Sequence, residues 1–131
     1  MKQRIAIAGF YPDKHGDFFS EKAFGELEFL EVPVLRNHNP EEAIGTAKNI
    51  RIENGKIYAD IETIEPITGG GKLAGIGFVC KTAKYREQDG KEVREITEAD
   101  IIEVSIMEDK NPEASDEELE RNHCIFRFSP Q

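Results

Sequence analysis

The sequence predicts a mainly β fold with short helices (an α+β protein), built as a closed or nearly closed β-barrel. The first indication is a series of short segments in which apolar and polar residues alternate between turn residues. The second is a pair of hairpin signals, Asn54-Gly55 and a polar turn over residues 86–91. No repeat with a period of about 20 to 50 residues is found, which argues against solenoids and propellers.

Strands account for most of the predicted elements, at residues 4–9, 29–37, 44–53, 56–64, 73–85, 92–96, 100–107 and 123–128. Residues 11–20 are rich in turn formers. Ser20 is predicted to cap a short helix over residues 21–27, because its hydroxyl can accept hydrogen bonds from first-turn amides. A second short helix, which is acidic, is predicted at residues 116–121. Pro33 lacks an amide hydrogen, so its strand is predicted to be an edge strand or to carry a bulge.

The chain length suits one compact domain, since 131 residues are enough to bury a core. We expect residues 1–115 to form the barrel domain. Residues 116–131 are expected to form the acidic helix and a C-terminal strand that could dock onto a partner. No apolar run reaches the roughly 20 residues that a membrane span requires. The apolar residues that follow Met1 are also too few for a secretory signal, so no membrane partner is expected.

Charge and composition argue against nucleic-acid and metal ligands. The chain carries 26 acidic and 17 basic residues, a net charge of −9, and a surface this acidic repels DNA and RNA. The cysteines and histidines have no spacing typical of metal sites. They are Cys80, Cys124, His15, His38 and His123. We therefore expect no metal, no cofactor, and unpaired thiols in a reducing compartment.

Two residues have the chemistry of a hydrolytic site. His38 stands at the end of an apolar strand, where an imidazole can face a cleft and still reach a partner. Glu103 interrupts the apolar run 101–107, and a buried glutamate is costly unless it is paired, so we expect it to face His38 or Arg94. Each residue also has a structural interpretation. His38 could be a hydrogen-bonding residue of a strand end, and Glu103 could face outward from an edge strand.

Several short motifs follow one another along the chain: Asp13, Gly16-Asp17, Ala23-Phe24, residues 33–38, Ile44-Gly45, Asn54-Gly55, residues 75–78, residues 94–97, residues 103–106 and residues 111–114. Each is weak alone. Their order resembles that of the prohead (capsid-maturation) serine proteases of tailed phages, a family that shares its fold with the herpesvirus assemblins. The resemblance runs from about Ile5 to Ala114, and it implies a β-barrel of the prohead protease or assemblin type.

The resemblance also implies roles for individual residues. It places a catalytic histidine at His38 and an acid, the third member of the site, on the strand that holds Glu103. It places the nucleophilic serine in a Ser-Ile-Gly-Phe stretch, where this chain has Gly75. Glycine has no side-chain oxygen that a neighbour could activate. His38 and Glu103 are therefore expected to be remnants of a catalytic site that could at most orient a water.

Two other residues are candidate substitute nucleophiles. Ser105 lies two residues after Glu103 and shares its face of the strand, but serines in strand interiors are mostly structural. Cys80 carries a more nucleophilic group. Strand parity places it on the face opposite Gly75, and it lies roughly 16 Å further along at about 3.3 Å per residue. Neither residue is expected to replace the serine.

Three functional hypotheses follow. The favoured one is a non-catalytic phage head protein: an auxiliary or cement (decoration) protein of the virion, assembled in the host cytoplasm. It would bind the major capsid protein and other phage head proteins. The alternative is a maturation serine endopeptidase that cleaves scaffold and capsid precursor, inactivated or using an unidentified nucleophile. The third is an unrelated host protein whose acidic barrel binds a protein partner.

The apolar end of the chain is the candidate partner-binding segment. Ile125, Phe126 and Phe128 cluster there, and they could add a strand to the sheet edge of a neighbouring protein. The alternative is that they form the final strand of the chain's own barrel. The sequence leaves both interpretations open.

Overall fold

The computed structural model of the protein describes residues 2–10, 16–67, 71–108, 113, 115, 117 and 126–127. Its strands are β1 (Lys2–Gly9), β2 (Asp17–Phe19), β3 (Val32–Arg36), β4 (Asn39–Glu53), β5 (Lys56–Thr63), β6 (Lys72–Gln88), β7 (Lys91–Glu108) and β8 (Phe126–Arg127). The chain is therefore mainly β, as the sequence predicts. Residues 2–10, 16–67 and 71–108 contain no helix, and the helix predicted at residues 116–121 falls almost entirely outside the described residues.

All of these strands belong to one sheet, in the order β1-β5-β4-β3-β7-β6-β8, with β2 also paired to β7. β6 runs antiparallel along one edge of β7. Along the other edge, β2 pairs in parallel with the first half of β7 and β3 pairs in parallel with the second half. The sheet curls so that β1, at one end of the order, approaches β6 and β8 at the other. The resulting architecture is a curled half-barrel.

Two-residue turns close three of the hairpins. Asn54-Gly55 joins β4 to β5 and Asp89-Gly90 joins β6 to β7, and all four of these residues have φ between 51° and 78°. Such left-handed pairs are typical of type I′ turns, so both predicted hairpins are present. Asn37-His38 joins β3 to β4 with φ of 53° and 58°. Neither residue is glycine, and the sequence prediction instead extended the strand to Asn37.

The core consists mainly of β-branched residues, which favour strands because their side chains pack well on a pleated surface. The largest fully buried apolar side chains are Ile7, Ile57, Ile61, Ile96, Val34 and Val104. The Phe19 ring connects this core to the chain between β2 and β3. Its centroid lies 4.8 Å from that of Phe24 and 4.7 Å from that of Phe78. Burial of these apolar surfaces is the main stabilising contribution, at about 25 cal/mol per Å².

The predicted helix over residues 21–27 is wrong, because this segment forms turns. Gly25 has a left-handed φ of 56°, which a helix does not accommodate. The Ala23 carbonyl accepts a hydrogen bond from the Ala99 amide of β7 at 2.9 Å, so a group that a helix would use internally is bound to the sheet. Phe24 is buried. Tertiary pairing and burial therefore override the local helix signals.

Other differences also arise from long-range pairing. β2 forms within a segment predicted as turn, because it pairs with β7. Residues 92–96 and 100–107, predicted as separate strands, are one strand, since a register shift at Thr97 lets the pairing with β6 continue. Pro33 pairs with β4, but the pairing of β3 with β7 begins only at Val34. At Pro33, β3 is therefore paired on the β4 side but not on the β7 side. Proline tolerates such a position, because a strand edge does not require its amide hydrogen.

Replacement of Ile57 tests the position of the core. Ile57 is fully buried, whereas Ile52, its partner across the β4–β5 ladder, is 41% exposed. We expect Ile57→Ala to lower the free energy of unfolding by about 2–5 kcal/mol, because it leaves a cavity in a packed interior. Ile52→Ala should cost less than half as much. Urea denaturation followed by circular dichroism measures both, and equal costs would contradict the burial of Ile57 in the core.

Candidate functional site

His38 and Glu103 form a hydrogen-bonded pair. His38 Nδ1 lies 2.5 Å from Glu103 Oε1. The Glu103 side chain is 11% exposed and the His38 side chain 46% exposed, so the acid is buried while the imidazole reaches the surface. The two residues come from the β3–β4 turn and from β7, 65 positions apart in sequence. Of the two partners predicted for Glu103, the structure selects His38 rather than Arg94.

The parallel pairing of β3 with β7 places the β3–β4 turn beside Glu103. The two strands pair as far as Arg36 and Ile106. Asn37 then donates its amide hydrogen to the Ile106 carbonyl at 3.0 Å, and the His38 amide donates to Ser105 Oγ at 2.8 Å. Two successive backbone amides therefore attach the turn to β7.

His38 has an unusual backbone conformation for a residue with a side chain. Its φ of 58° lies in the left-handed region, which costs roughly 1 kcal/mol or more for most residues other than glycine. Turn geometry alone favours glycine at this position of a type I′ turn. Strained residues of this kind are concentrated at functional sites. The imidazole at this position contacts Glu103, so histidine does more here than close the hairpin.

The hydrogen bond determines which imidazole nitrogen could act as a base. An ionised carboxylate only accepts hydrogen bonds, so with Glu103 ionised the contact with Oε1 places a proton on His38 Nδ1. The neutral ring then has its lone pair on Nε2, across the ring from the carboxylate. This is the orientation in which a histidine paired with an acid serves as a general base.

Glu103 depends strongly on this single partner. Its Oε2 atom is buried and has no hydrogen-bond partner among the described residues. A buried carboxylate oxygen without a partner is destabilising, so the bond from His38 supports the whole group. Loss of the imidazole would leave a buried charge uncompensated, which is more costly than replacing both members of the pair.

β6 contributes two glycines to the same face as this pair. In the β6–β7 ladder, Gly77 lies opposite Glu103 and Gly75 lies opposite Ser105. Directly opposed residues of antiparallel strands project from the same face. A side chain at position 75 would therefore stand on the face that carries Glu103 and Ser105. The structure thus places position 75, where the resemblance expects a serine, on the strand next to Glu103.

Neither substitute nucleophile suits the site. Ser105 is fully buried, and its Oγ accepts the hydrogen bond from the His38 amide, so its observed role is to hold the turn. Cys80 is an exposed free thiol that lies opposite Ala99, further along the hairpin than Glu103. Among the described residues, the site therefore contains a base and an acid without a serine or cysteine placed to be activated.

Arg94 has a different role from the one considered for it. Its Nε and Nη2 atoms donate to Asp17 Oδ1 and Oδ2, both at 3.0 Å. These hydrogen bonds, opposed in part by desolvation, raise the pKa of the Arg94 guanidinium, so it keeps its charge. A forked pair of this kind has well-defined geometry. It attaches β2 to β7 and takes no part in the site.

The remaining predicted residues are only partly described. The backbone of Phe126 lies in β8 and pairs with Ala74 of β6, so residues 126–127 join the chain's own sheet. Outside the described residues lie Ile125, Phe128, His15, His123 and Cys124. Within the described part of the chain, no group of three or more acidic, histidine or cysteine residues could hold a metal ion. No helix among these residues is long and apolar enough to cross a membrane.

A cavity of about 430 Å³ lies beside the β3–β4 turn, with Asn37 and Ile106 in its wall. The charged residues Arg36, Glu65 and Lys72 also line it. Its volume is within the range of ligand sites, about 300–1,000 Å³. Because its lining carries both signs of charge, it does not select a ligand by charge alone.

Ser105 and Gly77 are the parts of this arrangement that sequence reasoning did not assign. The sequence predicts a structural role for Ser105 but not its contact with the His38 amide, which depends on the unpredicted turn. Gly77 is assigned no role in positioning the acid by its sequence alone. One sequence signal could have indicated this. Gly75 and Gly77, two residues apart, leave space on one face of β6 for a side chain of the neighbouring strand.

Comparison of the chain with protein-family models, with curated proteins and with solved structures finds no match. The site is therefore defined by its own chemistry. It consists of a histidine–carboxylate pair on a curled half-barrel sheet, with glycine at the position opposite Ser105.

Replacement of Ser105 tests its proposed support of the turn. Ser105→Ala removes the acceptor of the His38 amide, so we expect a loss of about 1 kcal/mol in the free energy of unfolding. The His38 amide should also exchange with solvent faster, whereas the Asn37 amide, bonded to the Ile106 carbonyl, should keep its protection. Hydrogen exchange followed by NMR measures both amides. Unchanged exchange at His38 would show that Ser105 does not hold the turn.

Proposed function

We propose that the protein is a non-catalytic phage head component, an auxiliary or cement protein that binds the major capsid protein and works by contact. The observation that supports this most directly is the His38–Glu103 pair beside Gly75. The pair has the geometry of a base and its acid, and the position that would carry a nucleophile has no side chain.

The chemistry of the site favours binding over hydrolysis. Without a nucleophile, the His38–Glu103 pair could at most orient a water molecule, and dismantled triads retain only weak residual catalysis. Ser105 and Cys80 do not fill the gap, for the reasons of burial and position given above. A protein that keeps a rigid sheet but lacks the reacting atom is suited to present surfaces to a partner.

The assignment to phage heads rests on the ordered motifs that resemble prohead proteases. The curled β sheet is compatible with a barrel of the prohead protease or assemblin type, which we propose as the finer description of the fold. The motif positions come from three different strands or turns, yet His38 bonds to Glu103, and Gly75 lies opposite Ser105, two residues along β7 from Glu103. Such convergence supports the resemblance, because unrelated matches along a sequence have no reason to meet in space.

Charge supports a protein partner rather than nucleic acid. The net charge of −9 complements basic patches on a capsid surface and repels packaged DNA. On this proposal the protein resides in the virion after assembly in the host cytoplasm, and it stabilises the shell by burying surface between capsid subunits.

Purification of intact virions tests the proposed role. A cement protein stays on the particle, so we expect the full-length chain in mature virions at a fixed ratio to the major capsid protein. A maturation protease would instead be enriched in proheads and depleted from mature heads. Absence from both particle types would favour the third hypothesis, a host protein with an unrelated partner. Quantitative mass spectrometry of proheads and virions distinguishes these outcomes.

The intact geometry of the His38–Glu103 pair favours a maturation serine protease as the second candidate. Labelling with a fluorophosphonate tests it, because an activated serine oxygen attacks phosphorus, fluoride leaves, and the histidine takes the proton. We expect no labelling of the wild-type chain. Gly75→Ser should be labelled roughly 100-fold faster than Gly75→Ser/His38→Gln, since a general base contributes at least that factor.

The controls for this experiment separate loss of a nucleophile from loss of the site. Gly75→Ser/Glu103→Gln should also be labelled slowly, because the imidazole loses its acid. Labelling of the wild-type chain that requires His38 would overturn the non-catalytic assignment. Equal slow labelling of Gly75→Ser with and without His38 would show that the pair no longer serves as a base.

A further inference from the structure

The carboxylate of Glu103 occupies the space that a side chain at position 77 would need. A Cβ atom placed on Gly77 would lie 2.7 Å from Glu103 Cδ, and still closer to Cγ and Oε1. Real Cβ atoms do not approach other atoms this closely. The atoms in conflict include Oε1, which is the oxygen that accepts the hydrogen bond from His38.

The backbone of Gly77 gives no separate reason for glycine. Its φ lies outside the left-handed region, so any residue could adopt this conformation. Glycine in a strand interior weakens the strand, because it has no side chain to pack and loses more conformational freedom on folding. Gly77 therefore lowers the stability of its strand, and what it provides in return is space for the Glu103 side chain.

We propose that Gly77 is a positioning residue: it makes room for the Glu103 carboxylate to lie flat against β6, where Oε1 meets His38 Nδ1. Any larger residue would push the carboxylate away from the imidazole. The two glycines of β6 thus have different roles. Gly75 stands where the resemblance expects a nucleophile, whereas Gly77 is required by the acid.

Gly45 provides a matched comparison. It is also a strand glycine whose Cβ would meet neighbouring atoms, but those atoms belong to the backbone of β5, with Thr63 Cα at 2.9 Å. A substitution there conflicts with the fold itself. At Gly77, in contrast, the three nearest atoms all belong to the Glu103 side chain, which a second substitution can remove.

A double-mutant cycle tests the proposal. Gly77→Ala alone should lower the thermal unfolding midpoint by roughly 5–15 °C, because it overpacks a tight contact. In a Glu103→Ala background, the same substitution should cost less than a third of that shift. Gly45→Ala, the control, should cost the same in both backgrounds. If Gly77→Ala alone fails to fold, we expect Gly77→Ala/Glu103→Ala to recover a cooperative transition.

A spectroscopic measurement distinguishes positioning from general stability. In ¹⁵N-labelled protein, the His38 Nδ1 proton shared with a carboxylate should give a strongly deshielded resonance, assigned by its loss in His38→Gln. Gly77→Ala should abolish this resonance even at temperatures where the variant is folded. Gly45→Ala, where folded, should retain it.

The outcomes separate clearly. Equal destabilisation by Gly77→Ala in both backgrounds, or failure of the double variant to fold, would overturn the proposal, since the conflict would then lie with the backbone. Retention of the His38 resonance in Gly77→Ala would overturn it as well. The inference rests on the His38–Glu103 pair that the proposed function also uses, but not on the capsid partner. Absence of the chain from virions would therefore leave this result intact.

Discussion

The pairing of β7 with three other strands is the constraint on which the rest of the structure depends. β6 covers one edge of β7 for almost its full length, while β2 and β3 divide the other edge between them. β3 stays paired with β7 up to its last residue. The β3–β4 turn that follows therefore closes against β7. The meeting of His38 with Glu103 follows from this topology.

Sequence reasoning succeeded where the determining interactions are local. Asn54-Gly55 specifies its own turn, and the alternation of apolar residues identifies most strands. It failed where distant strands decide the outcome. The residues after Ser20 have good helix signals, but β7 uses the Ala23 carbonyl and prevents a helix. The site was predictable as a pair of residue types, His38 and an acid needing a partner. The turn that joins them was not, because it depends on a register that no local pattern reveals.

The site holds a base and an acid in fixed positions, but among the described residues it has no serine or cysteine that they could activate. A left-handed histidine, a buried carboxylate with one partner and a glycine inside a strand each reduce stability when considered alone. Together they produce one well-defined hydrogen bond. A protein selected only for a stable sheet would have replaced these residues with glycine, an apolar residue and a β-branched residue. Their coexistence is one of the observations that support the role proposed for this site.

The left-handed conformation of His38 has a consequence for molecular evolution. The left-handed backbone of His38 costs some stability, so histidine gains nothing at this position where its ring has no use. In a lineage that no longer used the ring, single-nucleotide changes would lead readily to asparagine, which tolerates this conformation better. The residue at this turn is therefore a record of selection. Descendants that keep histidine beside a glycine at position 75 would identify the imidazole as the functional part, independent of any nucleophile.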